Sequence, residues 1–420
     1  MSRYGVGMLK FLRTGSLKAL SVSALAAMGL LVAGAMIASG AASNDSKPAP
    51  KPLAQAVSDS FAAKSAFTGV SARVTFTNAM LDSSGITGGV DPLTGGGSGR
   101  FWADAEGKFR IELQSDGGGG DVQVVSDGKQ IWISHGASGK AWKAELPKYD
   151  KTSDSVGKSS DQWPPSVAAV AKAIKSLSGD ATISAAQPDN VGGRPAYTVT
   201  ITPKDTSGLF AGGRVSWDAE NGAPLAVAVL AKGQAEPVID LRATSVDFGP
   251  VASAVFDMAA PANAESIDLA SAKSSLAAKQ KSKKGMAEKR AYRKPVTGLN
   301  AVQAKVAFKI SAPDTLAGKA RSQVTLVGSG KDAGAVVTYG EGMSTVAVLE
   351  MPEAAKPQAG VSKPADERAF ALPTSKVGGV EGTKVATPLG ALATFVRDGV
   401  RYTVAGSVTD RTITQAANGI

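Results

Sequence analysis

GRFWADAEGKFRIEL (Gly99–Leu113) and, a few residues on, VVSDGKQIWI (Val124–Ile133) read as consecutive antiparallel strands. Phe109, Ile111 and Leu113 alternate with Arg110 and Glu112. That two-residue period sends apolar side chains to one face of a strand and charged ones to the other. Asp127-Gly128 sits between two apolar runs. Such a pair marks a hairpin, because its glycine takes the positive φ that a tight turn needs.

The same period extends in both directions. Val70, Ala72, Val74 and Phe76 alternate with Ser71, Arg73 and Thr75, and Ala141–Ala144 is placed to pair after Ile131–Ile133. Further on come Tyr197–Ile201, Val215–Trp217, a turn at Asn221-Gly222, Leu225–Leu230, Val238–Leu241 and Ser245–Phe248. Helical spacing interrupts twice. Leu53, Val57 and Phe61 share one face, and after Pro164-Pro165 so do Val167, Val170, Ile174 and Leu177. About ten strands joined by short loops predict a long curved antiparallel sheet over residues 53–268, with the two helices against its concave face.

Composition narrows the chemistry. The chain has 420 residues, enough for two or three domains with their own cores. It has no cysteine and one histidine, His135, in a polar loop. Disulfides, thiolate catalysis, Cys-ligated metals, multi-His sites and a Ser-His-Asp triad therefore lack parts. An N-terminal lipid-modified cysteine is excluded too. Asp127 with Glu145 and Asp104 with Glu106 lie at turns or strand ends among solvated charges, a poor setting for paired catalytic carboxylates. The GGGSG and GGGG runs do not precede a helix with Lys-Ser/Thr, so they are not phosphate loops. Enzyme and cofactor are both expected to be absent. The formal charge of +10 suits an anionic membrane surface or an acidic partner. Nucleic acid is the rival for any basic chain, and an exported one seldom meets it.

Export is the expectation from the N-terminus. Residues 1–18 are basic, and Ala19–Ser43 then runs for 25 residues without a charge, long enough to cross a bilayer core of about 30 Å. The basic flank stays cytoplasmic and the remainder faces outward. Small residues at 38–42 fit a signal-peptidase site, while the length of the run fits a retained transmembrane anchor. Both readings stand. Residues 44–52 form an extended linker.

GRFWADAEGKFRIEL, VVSDGKQIWI, YTVTITPK (Tyr197–Lys204), VSWDAENGAPLAVAVL (Val215–Leu230) and IDLRATSVDFGPVASAVFDMAAPANAE (Ile239–Glu265) together resemble the outer-membrane lipoprotein carrier (LolA) superfamily. That superfamily includes the N-terminal domain of the periplasmic sigma-factor regulators RseB and MucB. Phe109-Arg110 matches the family's Phe-Arg, and Asp127-Gly128 with Trp132 matches its Asp-Gly…Trp hairpin. The carrier's cation-Pro pair is absent; Ala105-Glu106-Gly107 stands nearby, and a Gly-rich loop (Gly85–Gly99) replaces the tight early hairpin. The resemblance implies an open half-barrel with short lid helices that holds acyl chains or a lipidated peptide on its concave side.

A curved sheet too wide for its own side chains to fill leaves a cavity of this kind in any case. The residues expected to line it are Val74, Phe76, Phe101, Phe109, Ile111, Trp132, Trp142, Ile174, Tyr197, Trp217 and Phe248. The competing reading is that the aromatics simply fill a closed core.

Ala270–Lys294 carries nine Lys or Arg against the single acid Glu288. Such a run (269–295) is a solvated linker, or a strip lying on anionic headgroups through Lys279, Lys281, Lys283, Lys284, Lys289 and Arg290. Residues 296–411 predict a smaller α+β domain. A short helix at Asn300–Val306 leads into Phe308–Ile310, then strands at 322–327, 335–339, 346–350, 378–386, 391–396 and 400–405. AVQAKVAFKISAPDTLAG (Ala301–Gly318) and VVTYGEGMSTVAVLE (Val336–Glu350) resemble the domain that follows carrier-like domains in actinobacterial membrane proteins. Residues 412–420 are expected to fray.

Two functions follow from the sequence. One is a non-catalytic extracytoplasmic protein, anchored or secreted, that binds lipid or lipoprotein acyl chains. The other is an envelope-stress regulator that binds an anti-sigma factor or another membrane protein through its second domain.

Overall fold

A computed structural model describes residues 47–62, 68–80, 92–116, 118, 120–145, 171, 175, 179–267, 295–353 and 374–420. The chain is mainly β and builds two sheets. The larger has 13 strands: β1 (Gly69–Asn78), β2 (Gly97–Asp104), β3 (Phe109–Gln114), β4 (Asp121–Ser126), β5 (Gln130–His135), β6 (Lys140–Glu145), β7 (Ala181–Ile183), β8 (Gln187–Val191), β9 (Arg194–Pro203), β10 (Phe210–Asp218), β11 (Pro224–Ala231), β12 (Ile239–Phe248) and β13 (Glu265–Ile267). Their order across the sheet is β13-β6-β5-β4-β3-β2-β1-β12-β11-β10-β9-β7, with β8 also pairing β9. Neighbours are antiparallel except β13, which runs parallel to β6.

The hairpins form where turn chemistry allows. Asp127 Oδ1 accepts hydrogen bonds from the backbone N–H groups of Lys129 (2.7 Å) and Gln130 (2.6 Å), and Gly128 takes φ +84°. That geometry sets the β4–β5 register, pairing Val125 with Trp132 and Val124 with Ile133. At the middle of the sheet a bulge between Arg73 and Val74 shifts the β1–β12 register; bulges of this sort bend a strand and increase its twist.

Helix α1 (Leu53–Phe61) forms on the predicted spacing and packs Ala56, with half-buried Leu53 and Val57, on Tyr197, Val199 and Trp217. Ser60 ties it down: its hydroxyl donates to the Ala56 and Ala219 carbonyls and accepts the Trp217 indole N–H at 3.1 Å. The helix expected after Pro164-Pro165 lies outside the described residues apart from isolated positions.

A buried ion group fastens the start of β9 to the end of β10 and the turn that follows it. Arg194 Nε donates to Asp218 Oδ2 at 2.7 Å and its Nη2 to Glu220 at 2.6 Å, with the guanidinium 5.1 Å above the Phe248 ring. Arg194 and Asp218 are both buried, and a buried charge is tolerated only with such pairing.

The smaller sheet has the order β14-β15-β16-β17-β21-β20-β19-β18 and curls through 223°. Its strands are β14 (Thr315–Leu316), β15 (Lys319–Val327), β16 (Gly334–Tyr339), β17 (Val346–Pro352), β18 (Thr374–Val377), β19 (Val380–Thr387), β20 (Gly390–Arg397) and β21 (Val400–Gly406). The short helix expected at Asn300–Val306 is α2 (Leu299–Gln303), and its Gln303 side chain donates to the Phe308 carbonyl and accepts from Ile310 N–H, satisfying the backbone there locally. One expectation fails: the tail does not fray. Asp410–Asn418 is helix α3, N-capped by Thr409, and Ile413, Ala416 and Ala417 are buried in the sheet's core.

Candidate functional site

Residues directly opposite in an antiparallel pair point to the same side of the sheet. The register therefore assigns faces. Val246, Ala72, Phe101, Ile111, Val124, Ile133 and Trp142 form one unbroken row across seven strands. Phe248, Val70, Ala103 and Phe109 head a parallel row beside it. Past the bulge, Val74 and Phe76 oppose Ala243 and Leu241, and from there the face continues through Val227, Val215 and Val199 to Trp217 and Tyr197. Val74, Phe76, Phe101, Phe109, Ile111, Trp142, Tyr197, Trp217 and Phe248 thus lie on one face, drawn from seven strands.

That face has a covered part and an open part. Over β9 and β10, helix α1 closes it: Tyr197 and Trp217 are buried there, rings 6.0 Å apart, and the Tyr197 hydroxyl donates to the Ala49 carbonyl at 2.7 Å. These two side chains are core. Phe101, Phe109 and Phe248 cluster on Val70 and Ala103 at its margin. Over β1–β6 the row Ala72-Phe101-Ile111-Val124-Ile133-Trp142 stays half-buried, six apolar side chains in succession without a charge. Strand spacing of about 4.8 Å makes it a strip about 24 Å long. Gly97 and Gly99 lie on the same face of β2, where a Cβ would collide with the Gln114 and Glu112 carbonyls. They leave the strip without side chains beside Val74 and Phe76.

Trp132 does not belong to this face. It pairs with Val125 and Lys143 and points to the opposite side, with Trp102 and Arg110. The chain crosses that side after β12. Trp132 is 7% exposed, and its indole N–H donates to the Met258 carbonyl at 3.1 Å. Arg110 donates to the Val255 carbonyl, pairs with Glu112 and sits 5.5 Å from the Trp102 ring. Trp132 therefore anchors a strap, residues 252–264, in place of lining a cavity. The signal was present in the sequence: Trp132 has the opposite parity to Ile131 and Ile133. Ile174 lies outside the described residues, as do Lys279, Lys281, Lys283, Lys284, Lys289 and Arg290.

The sequence reading also missed a buried acid in the smaller sheet. Glu350 on β17 points into the core opposite Ala335 and Tyr402. Its Oε2 accepts the Ser311 N–H at 3.0 Å, and Oε1 has no hydrogen-bond partner. Burial pushes its carboxyl up to about 7, against the pull of the Ser311 N–H and the Arg397 guanidinium. Among the described residues no group of three His, Asp or Glu is placed to hold a metal ion, and no helix is long and apolar enough to cross a membrane. The transmembrane helix expected at 19–43 gains no support from the structure, since that segment lies outside the described residues.

No family model and no curated protein matches the chain. Several solved structures are similar in fold. The MucA/MucB complex of Pseudomonas aeruginosa has a chain 15% identical, with a TM-score of 0.35, covering 87% of this chain and 94% of that one. A LolA superfamily protein from Nitrosomonas europaea is 8% identical with a TM-score of 0.19, covering 50% of this chain and 98% of its own. A putative outer-membrane lipoprotein-sorting protein domain from Vibrio parahaemolyticus is 10% identical, TM-score 0.16, over 49% and 95%. At such scores and identities the matches assign no function to this chain.

Proposed function

We propose that the chain is a non-catalytic, extracytoplasmic binding protein that holds acyl chains of lipid or lipoprotein on the open face of β1–β6. The observation that carries this reading is the row Ala72-Phe101-Ile111-Val124-Ile133-Trp142, apolar throughout and half-buried. Acyl chains suit such a strip because apolar burial needs no directional partners and contributes about 0.8 kcal/mol per CH₂. Phe101, Phe109, Ile111 and Trp142, with Val74 and Phe76 beside Gly97 and Gly99, would make the contacts. The uncharged segment 19–43 behind a basic flank supports an outward location, and the basic run 269–295 supports contact with anionic headgroups.

A second reading, an envelope regulator that grips a membrane protein, draws on the smaller sheet, whose core is complete without residues of the larger one. The test of the first reading is mass spectrometry of lipid that co-purifies with the protein. Fatty-acyl lipid retained by the wild-type chain and lost from Ile111→Glu is the expected result. Equal retention by both would overturn it, and a pull-down that retains one membrane protein and no lipid would favour the second reading.

A further inference from the structure

The two sheets meet through a small set of loops. The β9–β10 connection, Lys204–Leu209, lies against the turn Glu341–Thr345 that precedes β17 and against Ser407 after β21. Asp205 Oδ2 accepts the Met343 N–H at 2.6 Å, and Ser207 Oγ accepts the Ser344 N–H at 3.2 Å. Leu209 N–H donates to both the carbonyl and the hydroxyl oxygen of Ser407, at 3.2 and 3.0 Å. Asp205 is held ready for this contact from its own side: its Oδ1 accepts from the Ser207 N–H at 2.9 Å and the Ser207 hydroxyl at 2.6 Å.

Two glycines permit the approach. A Cβ on Gly208 would lie 2.9 Å from the Met343 Cβ. Gly342 has φ +65°, and a Cβ there would run into the Asp205 carboxylate. Larger residues at either position would push the loops apart.

What the contact lacks is equally informative. Every hydrophobic cluster among the described residues belongs wholly to one sheet or the other. The contacts named above are polar, between backbone N–H groups and one carboxylate, two hydroxyls and a carbonyl. Units joined without a shared apolar core are expected to move relative to one another, since only a large hydrophobic interface prevents it.

We propose that this contact is a releasable latch, in which the Asp205 carboxylate holds the 341–345 turn and fixes the smaller sheet against the larger. Losing the Asp205 carboxylate removes its bond to Met343 and the brace that holds Ser207 toward Ser344, leaving only the Leu209–Ser407 contact and both cores intact. The latch closes on the loop that joins β9 to β10, the two strands whose inner face α1 covers.

The chain's lack of cysteine makes a direct test clean. In the full chain, Gly208→Cys with Met343→Cys places two thiols across the latch. Their Cβ separation, 2.9 Å, is shorter than the roughly 3.5–4.5 Å of a disulfide, so the loops must part by about half an ångström for the bond to form. The expected result is an intramolecular cross-link under mild oxidation, formed about tenfold more slowly when Asp205→Ala is added, with unchanged far-UV circular dichroism. Solution scattering on Asp205→Ala alone, with native residues 208 and 343, is expected to show a larger radius of gyration than wild type. Asp205→Asn, which keeps an acceptor oxygen, is expected to restore most of the compactness. A folded double-cysteine protein that does not cross-link, or a cross-linking rate and scattering curve indifferent to Asp205→Ala, would overturn the proposal. If the cysteine pair prevents folding, the scattering comparison alone decides.

Discussion

The two sheets handle their inner faces in opposite ways. In the smaller one, the row Val337-Val348-Val404-Ala393 is wholly buried, each residue 0% exposed, because the sheet curls around α3 and takes Ile413, Ala416 and Ala417 into its core. In the larger one, the corresponding row Ala72-Phe101-Ile111-Val124-Ile133-Trp142 is half-buried, and helix α1 covers that face over β9 and β10. Both rows are apolar. A closed row contributes its burial to stability; an open row keeps that free energy available for a ligand. Sheet composition alone does not separate a core from a site. What lies on top does.

That contrast has consequences for mutation. Ile413→Ala removes a side chain from the closed core and should destabilise the smaller sheet by about 2–5 kcal/mol, read by denaturant unfolding. Acyl-chain binding should stay unchanged. A stability loss at Ile111→Ala as large as that at Ile413→Ala would erase the distinction between the two rows.

Glu350 offers the next largest effect, through pH. Its folded value of about 7 lies above the ordinary 4.5, so the native sheet holds a proton that the unfolded chain releases. Stability is therefore undiminished below pH 4.5, falls as pH rises through 4.5 to 7, and levels off above that. The whole change is about 3 kcal/mol. Arg397 is the charged group that acts on it, and burial together with the charge of Glu350 in turn raises the Tyr339 and Tyr402 hydroxyls. Glu350→Gln should remove the slope, measured as unfolding free energy at pH 5 and pH 8; a wild-type sheet that gains stability over that interval would contradict the assignment.

Much of this was legible from the residues. The alternation in Phe109–Leu113, the Asp127-Gly128 turn and the spacing of Leu53, Val57 and Phe61 each reflect a local constraint, and each element formed where its pattern lies. The misses depended on distant partners. Trp132 is aromatic and so fits the cavity expectation, but its parity puts it opposite Ile133; only the returning strap, 126 residues later, explains what buries it. The terminal helix was overlooked because Ile413, Ala416 and Ala417 are a short apolar stripe whose value lies in the sheet they meet. The β8 strand carries Pro188, which argues against a strand and is tolerated on this edge.

Smaller effects sharpen the same contrast. Trp132→Phe removes the hydrogen bond to Met258 and should cost about 1 kcal/mol of stability, seen as a lowered unfolding midpoint, with ligand binding intact. Ile111→Ala on the open face should cost less stability than that, because its side chain is already partly in water.

The central claim is that the half-buried row over β1–β6 is the binding surface. Titration of a fluorescent fatty-acyl probe into wild type, Ile111→Glu and Trp132→Phe tests it most directly. Ile111→Glu, which puts a charge in the middle of the strip, should weaken binding at least about tenfold, while Trp132→Phe on the opposite face should bind as wild type does. Undiminished binding by Ile111→Glu, or an equal loss in Trp132→Phe, would contradict it.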